Sequence, residues 1–206
     1  MASITTILST VFLSVFSVVG IRTADEPNYQ VLNDYDNIQI RQYPPLLVAQ
    51  TQVTGDYKTS GNQGFKRLAG YIFGDNQAQQ TIEMTTPVMQ EQKESEFIEM
   101  TTPVLQQHVG DVWTMAFMIP SSYTLATVPK PLDPEVKLTE LPSKKVAVLS
   151  YTGRLTEANI QEKSTELQTW LSEHHYTPLS PAQSAAYDPP WTVPFLRRNE
   201  IHIEIK

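Results

Sequence analysis

A chain of 206 residues, 40% of them hydrophobic, can close one core without dividing into two domains. Its net charge is −7 and no run of Lys and Arg exceeds a pair such as Lys144-Lys145 or Arg197-Arg198, which argues against a nucleic-acid partner. Cysteine is absent, so disulfides, thiolate metal sites and a cysteine nucleophile are excluded together.

Residues 1–21 carry no charged side chain, and their centre, Ile7 to Val19, is rich in Ile, Leu, Val and Phe ahead of Arg22 and the acidic pair Asp25-Glu26. That block is short for a spanning helix and is diluted by Ser9, Thr10, Ser14 and Ser17, while Val18 and Gly20 form a small-residue pair suited to cleavage. Residues 1–24 are therefore read as a signal peptide of an exported protein, with cleavage after Gly20 and a mature chain beginning near Ile21. No Lys or Arg precedes the apolar block, which leaves the alternative of an anchor, with membrane attachment through residues 1–21. A single domain over residues 27–206 follows.

From Tyr29 to Tyr43 apolar residues alternate, Tyr29 and Val31 and then Ile38 and Ile40, about a turn-forming stretch from Asn33 to Asn37, so a hairpin is expected. Pro44-Pro45 breaks it, and Leu46 to Val53 resumes as a strand ending at Thr54-Gly55. A helix is predicted from Thr59 to Phe73, capped by Thr59 or Ser60, with Phe65, Leu68 and Ile72 as its buried stripe and Gly74 as its stop. Gly61, Gly64 and Gly70 each weaken it by about 1 kcal/mol relative to Ala, and glycine this dense implies close contact on one face.

Next, Ile82-Glu83-Met84-Thr85-Thr86-Pro87-Val88 returns unchanged as Ile98-Glu99-Met100-Thr101-Thr102-Pro103-Val104. In each copy Ile, Met, the second Thr and Val share one parity, which predicts two strands that are edges, bulged or ended by their prolines, with a turn from Glu91 to Ser95 between them. Trp113 to Ile119 reads as another strand, and Pro120 to Pro134 as a proline-rich connection. Sliding the chain by 98 positions then sets Ile38 on Val136, Pro44 on Pro142, Val48-Ala49 on Val146-Ala147 and Thr54-Gly55 on Thr152-Gly153. The second half continues with an amphipathic helix from about Thr156 to His174, whose stripe is Ile160, Leu167, Trp170 and Leu171. A short strand from Gln183 to Tyr187, a loop through Trp191 and a last strand from Asn199 to Ile205 complete it. The expected fold is α+β: a duplicated strand-strand-helix-strand-strand unit forming a distorted antiparallel β-barrel with two helices and a cleft where the halves meet.

Ile38-Gln39-Ile40-Arg41-Gln42-Tyr43, Gly64-Phe65-Lys66-Arg67-Leu68 with Tyr71-Ile72, Met84-Thr85-Thr86-Pro87-Val88, and Tyr187-Asp188-Pro189-Pro190 followed by Arg197-Arg198-Asn199-Glu200-Ile201 occur in this order. With these motifs the chain resembles the SOUL haem-binding protein family over nearly everything after the leader. The resemblance implies two antiparallel sheets with two helices, similar to the effector-binding domain of multidrug-responsive bacterial regulators, and it implies tetrapyrrole binding. In the haem-ligating branch of the family a histidine stands where this chain has Gln42, so haem is expected without an axial ligand from the first hairpin. Other members hold the porphyrin by an apolar surface beside the first helix with nearby cations, a role the resemblance carries to Phe65, Lys66, Arg67, Leu68, Tyr71 and Ile72. Lys or Arg would pair the propionates and an aromatic ring would stack on the macrocycle.

Tyr187, Trp191 and Glu200 are candidates for a pocket in the cleft. Similar effector-binding domains use an acidic residue at the place of Glu200 to meet cationic drugs, and an ion pair with Arg197 or Arg198 is the structural alternative. Of the four histidines, His108 reads as a loop residue, His174 and His175 end the second helix where a cation complements the dipole, and His202 points away from Ile201 and Ile203. Met84 and Met100 read as strand packing rather than iron ligands. No triad, nucleophile elbow or phosphate loop is present, so no catalytic residue is nominated. The expected function is non-catalytic binding of haem or a related tetrapyrrole by a monomer, for buffering or transport. A module for amphipathic or cationic small molecules and a tetrapyrrole-modifying enzyme are the alternatives.

Overall fold

The computed structural model describes residues 26–82, 85–93, 112–188 and 191–206. The leader, the second copy of the repeat and His108 lie outside them.

Nine strands make one antiparallel sheet: β1 (Gln30–Tyr35), β2 (Ile38–Tyr43), β3 (Leu46–Thr54), β4 (Val88–Lys93), β5 (Val112–Met118), β6 (Lys137–Leu141), β7 (Lys144–Tyr151), β8 (Gln183–Ala186) and β9 (Asn199–Ile205). Two helices, α1 (Tyr57–Ile72) and α2 (Glu157–Glu173), pack on it. The sheet order is β1-β2-β7-β9-β8-β4-β5-β3-β6, and it curls into a half-barrel rather than splitting into two sheets. Leaving β1 aside, the order reads the same from both ends when β2 to β5 are exchanged for β6 to β9. Gly55 and Gly153, 98 positions apart, both take positive φ, 143° and 119°, at the end of β3 and β7.

Each helix covers the outer face of its own half. Leu68, Tyr71 and Ile72 of α1 join Ala49, Met115 and Phe117 in one core, and Leu167 and Leu171 of α2 join Ile38, Ile40, Leu149, Ile201 and Ile203 in the other. Burial of such side chains contributes about 1.5–3 kcal/mol apiece. Asp56, not Thr59 or Ser60, caps α1: its carboxylate accepts from Thr59 N at 2.8 Å, so the helix begins two residues earlier than its apolar spacing indicates. Thr156 caps α2 in the same way through Asn159 N. The glycine-rich face of α1 does make close contact, since a Cβ on Gly64 would lie 3.3 Å from Met115 Cβ.

Four local expectations are corrected. Asn33 to Tyr35 belong to β1, and the hairpin turns more tightly at Asp36, whose φ of 62° an Asx side chain tolerates. Strand β4 begins at Val88, after the proline, and takes in Glu91 to Lys93 where a turn was expected. Within the first copy of the repeat Thr85 to Pro87 lie outside any strand, because Pro87 donates no hydrogen bond and the Thr85 hydroxyl bonds the carbonyl of Met118 instead. Phe65 is 41% exposed rather than part of the buried stripe, and Gly64 and Tyr71 take its place against the sheet.

Candidate functional site

Strand alternation aims two sets of charged side chains at the inner face. On β9, Ile201, Ile203 and Ile205 face α2, so Glu200 and His202 face inward; on β2, Ile38 and Ile40 do the same and leave Arg41 and Tyr43 inside. Glu200 is wholly buried and accepts seven hydrogen bonds: two from Arg41 at 3.1 Å each, two from Arg198 at 3.0 and 2.8 Å, and one each from Tyr187 Oη at 2.5 Å, His202 Nε2 at 2.8 Å and Ser150 Oγ at 3.2 Å. A carboxylate has about four lone-pair directions, so this one is saturated.

The charges follow from these contacts. Burial alone would raise Glu200, but His202 and Arg41 hold it well below the usual carboxylate range. Burial outweighs the carboxylate for His202, which is pushed down and stays neutral, so its Nε2 carries the proton it donates to an acceptor-only Glu200. Burial raises the Tyr43 hydroxyl to about 12 even though Arg41 lies beside it.

The stretch before β1 covers this network. Arg198 Nη1 reaches both oxygens of Glu26, at 3.1 and 3.0 Å, and the Arg41 guanidinium lies 4.3 Å from the centre of the Tyr29 ring. Beside it is a small, mostly apolar slot of about 20 Å³ lined by Pro27, Leu46, Pro87, Met89 and Met118 together with His202. That space holds no more than a water-sized guest.

A second and larger site lies on the outside of α1. An open groove of about 270 Å³ is lined by Lys66, Arg67, Gly70 and Tyr71 of the helix with Asp75 and Asp133. Arg67 is committed, pairing with Asp133 at 3.3 Å and donating to Thr51 Oγ1 at 2.9 Å. Lys66 is exposed and forms no hydrogen bond or ion pair among the described residues. Phe73 is 66% exposed at the C-terminal end of the helix, and Phe65, 41% exposed, sits edge-on to the buried ring of Phe117 at 5.4 Å; both lie outside the groove lining.

Leu68 and Ile72 are buried in the core, and Tyr71, though it borders the groove, is only 1% exposed and donates its hydroxyl to Pro129 O at 2.8 Å. The expected stacking ring is therefore not Tyr71. Gln42 donates to Ser143 Oγ at 2.9 Å and does not line the groove; β7, β9, β8 and β4 stand between its strand and β5, on which α1 packs. Trp191 is exposed, Tyr187 is buried against Glu200, and Arg197 bonds the carbonyl of Thr192, so Arg198 is the expected partner of Glu200 that is found. His174 caps α2 and its ring stacks on Trp170 at 4.0 Å. Among the described residues no cluster of His, Asp and Glu could hold a metal ion. Arg41, Tyr43, Ser150 and His202 are the residues that sequence reasoning missed at the inner face. For Arg41, Tyr43 and His202 the only signal is parity opposite to the isoleucines of β2 and β9, and for Ser150 parity opposite to Leu149 of β7.

A curled antiparallel sheet with a helix on each half defines a half-barrel fold similar to that of effector-binding domains. The C-terminal domain of EcmrR has this fold, with TM-score 0.58 at 11% identity over 86% of this chain and 98% of that one. So do an uncharacterised conserved protein of Listeria innocua, TM-score 0.54 at 11% identity over 82% and 92%, and a hydrolase of the same organism, TM-score 0.53 at 10% identity over 85% and 94%. No curated protein matches the chain in sequence. The family model for the SOUL heme-binding protein matches residues 24–204, and the chain belongs to that family.

Proposed function

We propose that the protein binds haem or a related tetrapyrrole on the outer face of α1, reversibly and without chemistry of its own, as a buffer or carrier. The observation that carries this reading is Lys66, a cation without a partner among the described residues, in an open groove of the same helix that ends at the exposed ring of Phe73, in a chain of a haem-binding family. The groove is slightly below the usual size of a small-molecule pocket, so it takes one edge of the macrocycle, with a propionate at Lys66 and the ring across Phe65 and Phe73. Asp75 and Asp133 oppose a second propionate at the same edge.

This arrangement fits a ligand held by apolar contact and charge rather than by iron, since Gln42 lines no part of it and His174 and His202 are engaged elsewhere. Export or anchoring by residues 1–24, a domain over residues 27–206, a monomeric state and an origin by internal duplication belong to the same proposal; the palindromic strand order supports the last. The reading of a module for cationic molecules is disfavoured by the saturation of Glu200. An absorption titration with haem and with metal-free porphyrin tests the proposal: the two should bind within about tenfold of each other. Lys66→Ala should weaken both by roughly fivefold, as loss of about 1 kcal/mol of charge-assisted bonding requires. A haem affinity far above that of metal-free porphyrin, or one indifferent to Lys66 and Phe73, would place the ligand elsewhere.

A further inference from the structure

The stretch Glu26 to Tyr29 contributes to no strand, and among the described residues no backbone hydrogen bond holds it. Three side chains do the holding. The Glu26 carboxylate meets Arg198 Nη1 with both oxygens, Pro27 lines the slot between Met89, Met118 and Pro87, and the Tyr29 ring lies under the Arg41 guanidinium and 5.2 Å from the ring of Tyr43. A carboxylate, an apolar ring and an aromatic ring thus sit side by side on an inner face that is otherwise complete.

The charges there are unbalanced without this stretch. Arg41, Arg198 and Lys144 face the network and its slot; the two guanidinium groups are answered by Glu200 from the sheet and by Glu26 from the stretch, while Asp188 accepts the backbone N–H of Arg198. Arg198 gives Nε and Nη2 to Glu200 and keeps Nη1 for Glu26 alone. Lifting the stretch therefore frees a guanidinium N–H beside an apolar slot and bares the cationic face of Arg41. Glu200 offers nothing to a cation, because its lone pairs are already filled by seven donors. Both Glu26 and Arg198 remain about a quarter exposed, at 29% and 25%, so water competes for the pair and the contact is displaceable.

We propose that the inner face is a second ligand site, for a planar aromatic carboxylate, and that Glu26 and Tyr29 occupy it as a built-in stand-in for that ligand. The carboxylate takes the place of Glu26 on Arg198, and the ring takes the place of Tyr29 and Pro27 between Arg41, Tyr43 and the methionines. The site is separate from the groove on α1 and does not depend on haem.

The test uses 2-naphthoate as probe and 2-naphthylmethylammonium as its cationic control, titrated by calorimetry into the full chain. The double variant Glu26→Ala, Tyr29→Ala alters only the covering stretch and leaves both cores intact. It should bind 2-naphthoate at least tenfold more tightly than the unaltered protein and gain nothing toward the ammonium. Adding Arg198→Lys, which keeps the charge on Glu200 but loses the fork, should remove at least fivefold of the gain, with circular dichroism confirming the fold. Adding Lys66→Ala instead should leave the gain unchanged. Equal affinity of the double variant and the unaltered protein would overturn the proposal, as would a larger gain for the ammonium or a gain that vanishes with Lys66→Ala.

Discussion

Arg41 and Glu200, separated by 159 residues, meet through two parallel hydrogen bonds of 3.1 Å with only 3% and 0% of their side chains exposed. The pair ties β2 to β9 across β7, which pairs with both strands. Removing the guanidinium leaves Glu200 buried with fewer donors, and breaking a buried pair of this kind costs about 3–5 kcal/mol. Arg41→Ala is expected at the low end, about 3 kcal/mol by urea denaturation, because Arg198 still answers the carboxylate. Arg41→Lys, which keeps the charge but not the fork, should lose less.

Glu200 and His202 make the fold acid-sensitive in two separate windows. The imidazole is pushed by burial below its ordinary 6.5, so as pH falls through that value the unfolded chain takes a proton that the folded chain refuses, and stability drops. The carboxyl is held far below its ordinary 4.5, so a second loss sets in as pH falls past that value, where the unfolded chain again binds the proton first. Urea midpoints should therefore descend from about pH 8 to about pH 5.5 and descend again by about pH 4. His202→Gln should erase the first step and keep the second. A midpoint that rises between pH 8 and 5.5 would contradict the assignment of a neutral His202.

Much of the fold was legible because local patterns and tertiary burial agree. The alternation of Ile201, Ile203 and Ile205 marks β9 to the residue, and the stripe through Leu167 and Leu171 marks α2, since each follows the face that packs. Arg41 and Glu200 were not legible as a pair. A charged residue opposite an isoleucine on a strand reads as the solvent face, and only the curl of the sheet turns that face into a second interior. Tyr71 misled for the converse reason: a tyrosine beside Lys66 and Arg67 resembles a ligand platform, yet its rotation about the helix places it with Leu68 and Ile72. The strand β4 was missed because Gln90, Glu91 and Gln92 carry no apolar period; pairing with β5 and β8 on both sides imposes it.

Gly64 sets the distance between α1 and the sheet. A Cβ there would stand 3.3 Å from both Cβ and Sδ of Met115 and 3.7 Å from Cγ2 of Thr51. The thioether can swing away, whereas Met115 Cβ is fixed by β5. Gly64→Val is expected to lower stability by about 2 kcal/mol, the usual cost of overpacking, despite the poor helix propensity of the glycine it replaces. Thermal unfolding reads this directly, and Gly74→Ala, with open space around its Cβ but a φ of 125°, separates backbone strain from crowding.

Gln42 stands where a haem-ligating relative would carry histidine, and sequence alone makes Gln42→His the obvious way to restore an axial bond. The structure argues otherwise. Gln42 pairs in register with Lys145 of β7 and turns its amide to Ser143, while α1 packs on β3 and β5 and its groove is lined by residues of the helix and of the turns around Asp75 and Asp133. A histidine at position 42 would have no path to an iron lying across Phe65 and Phe73. Gln42→His should therefore leave the Soret band and the haem affinity unchanged to within about twofold, below the roughly 0.4 kcal/mol that such a ratio represents. Lys66→Ala in the same titration should weaken haem and metal-free porphyrin alike. A sharpened Soret band in Gln42→His, with tighter haem but unaltered porphyrin binding, would move the ligand from α1 to the hairpin of β1 and β2.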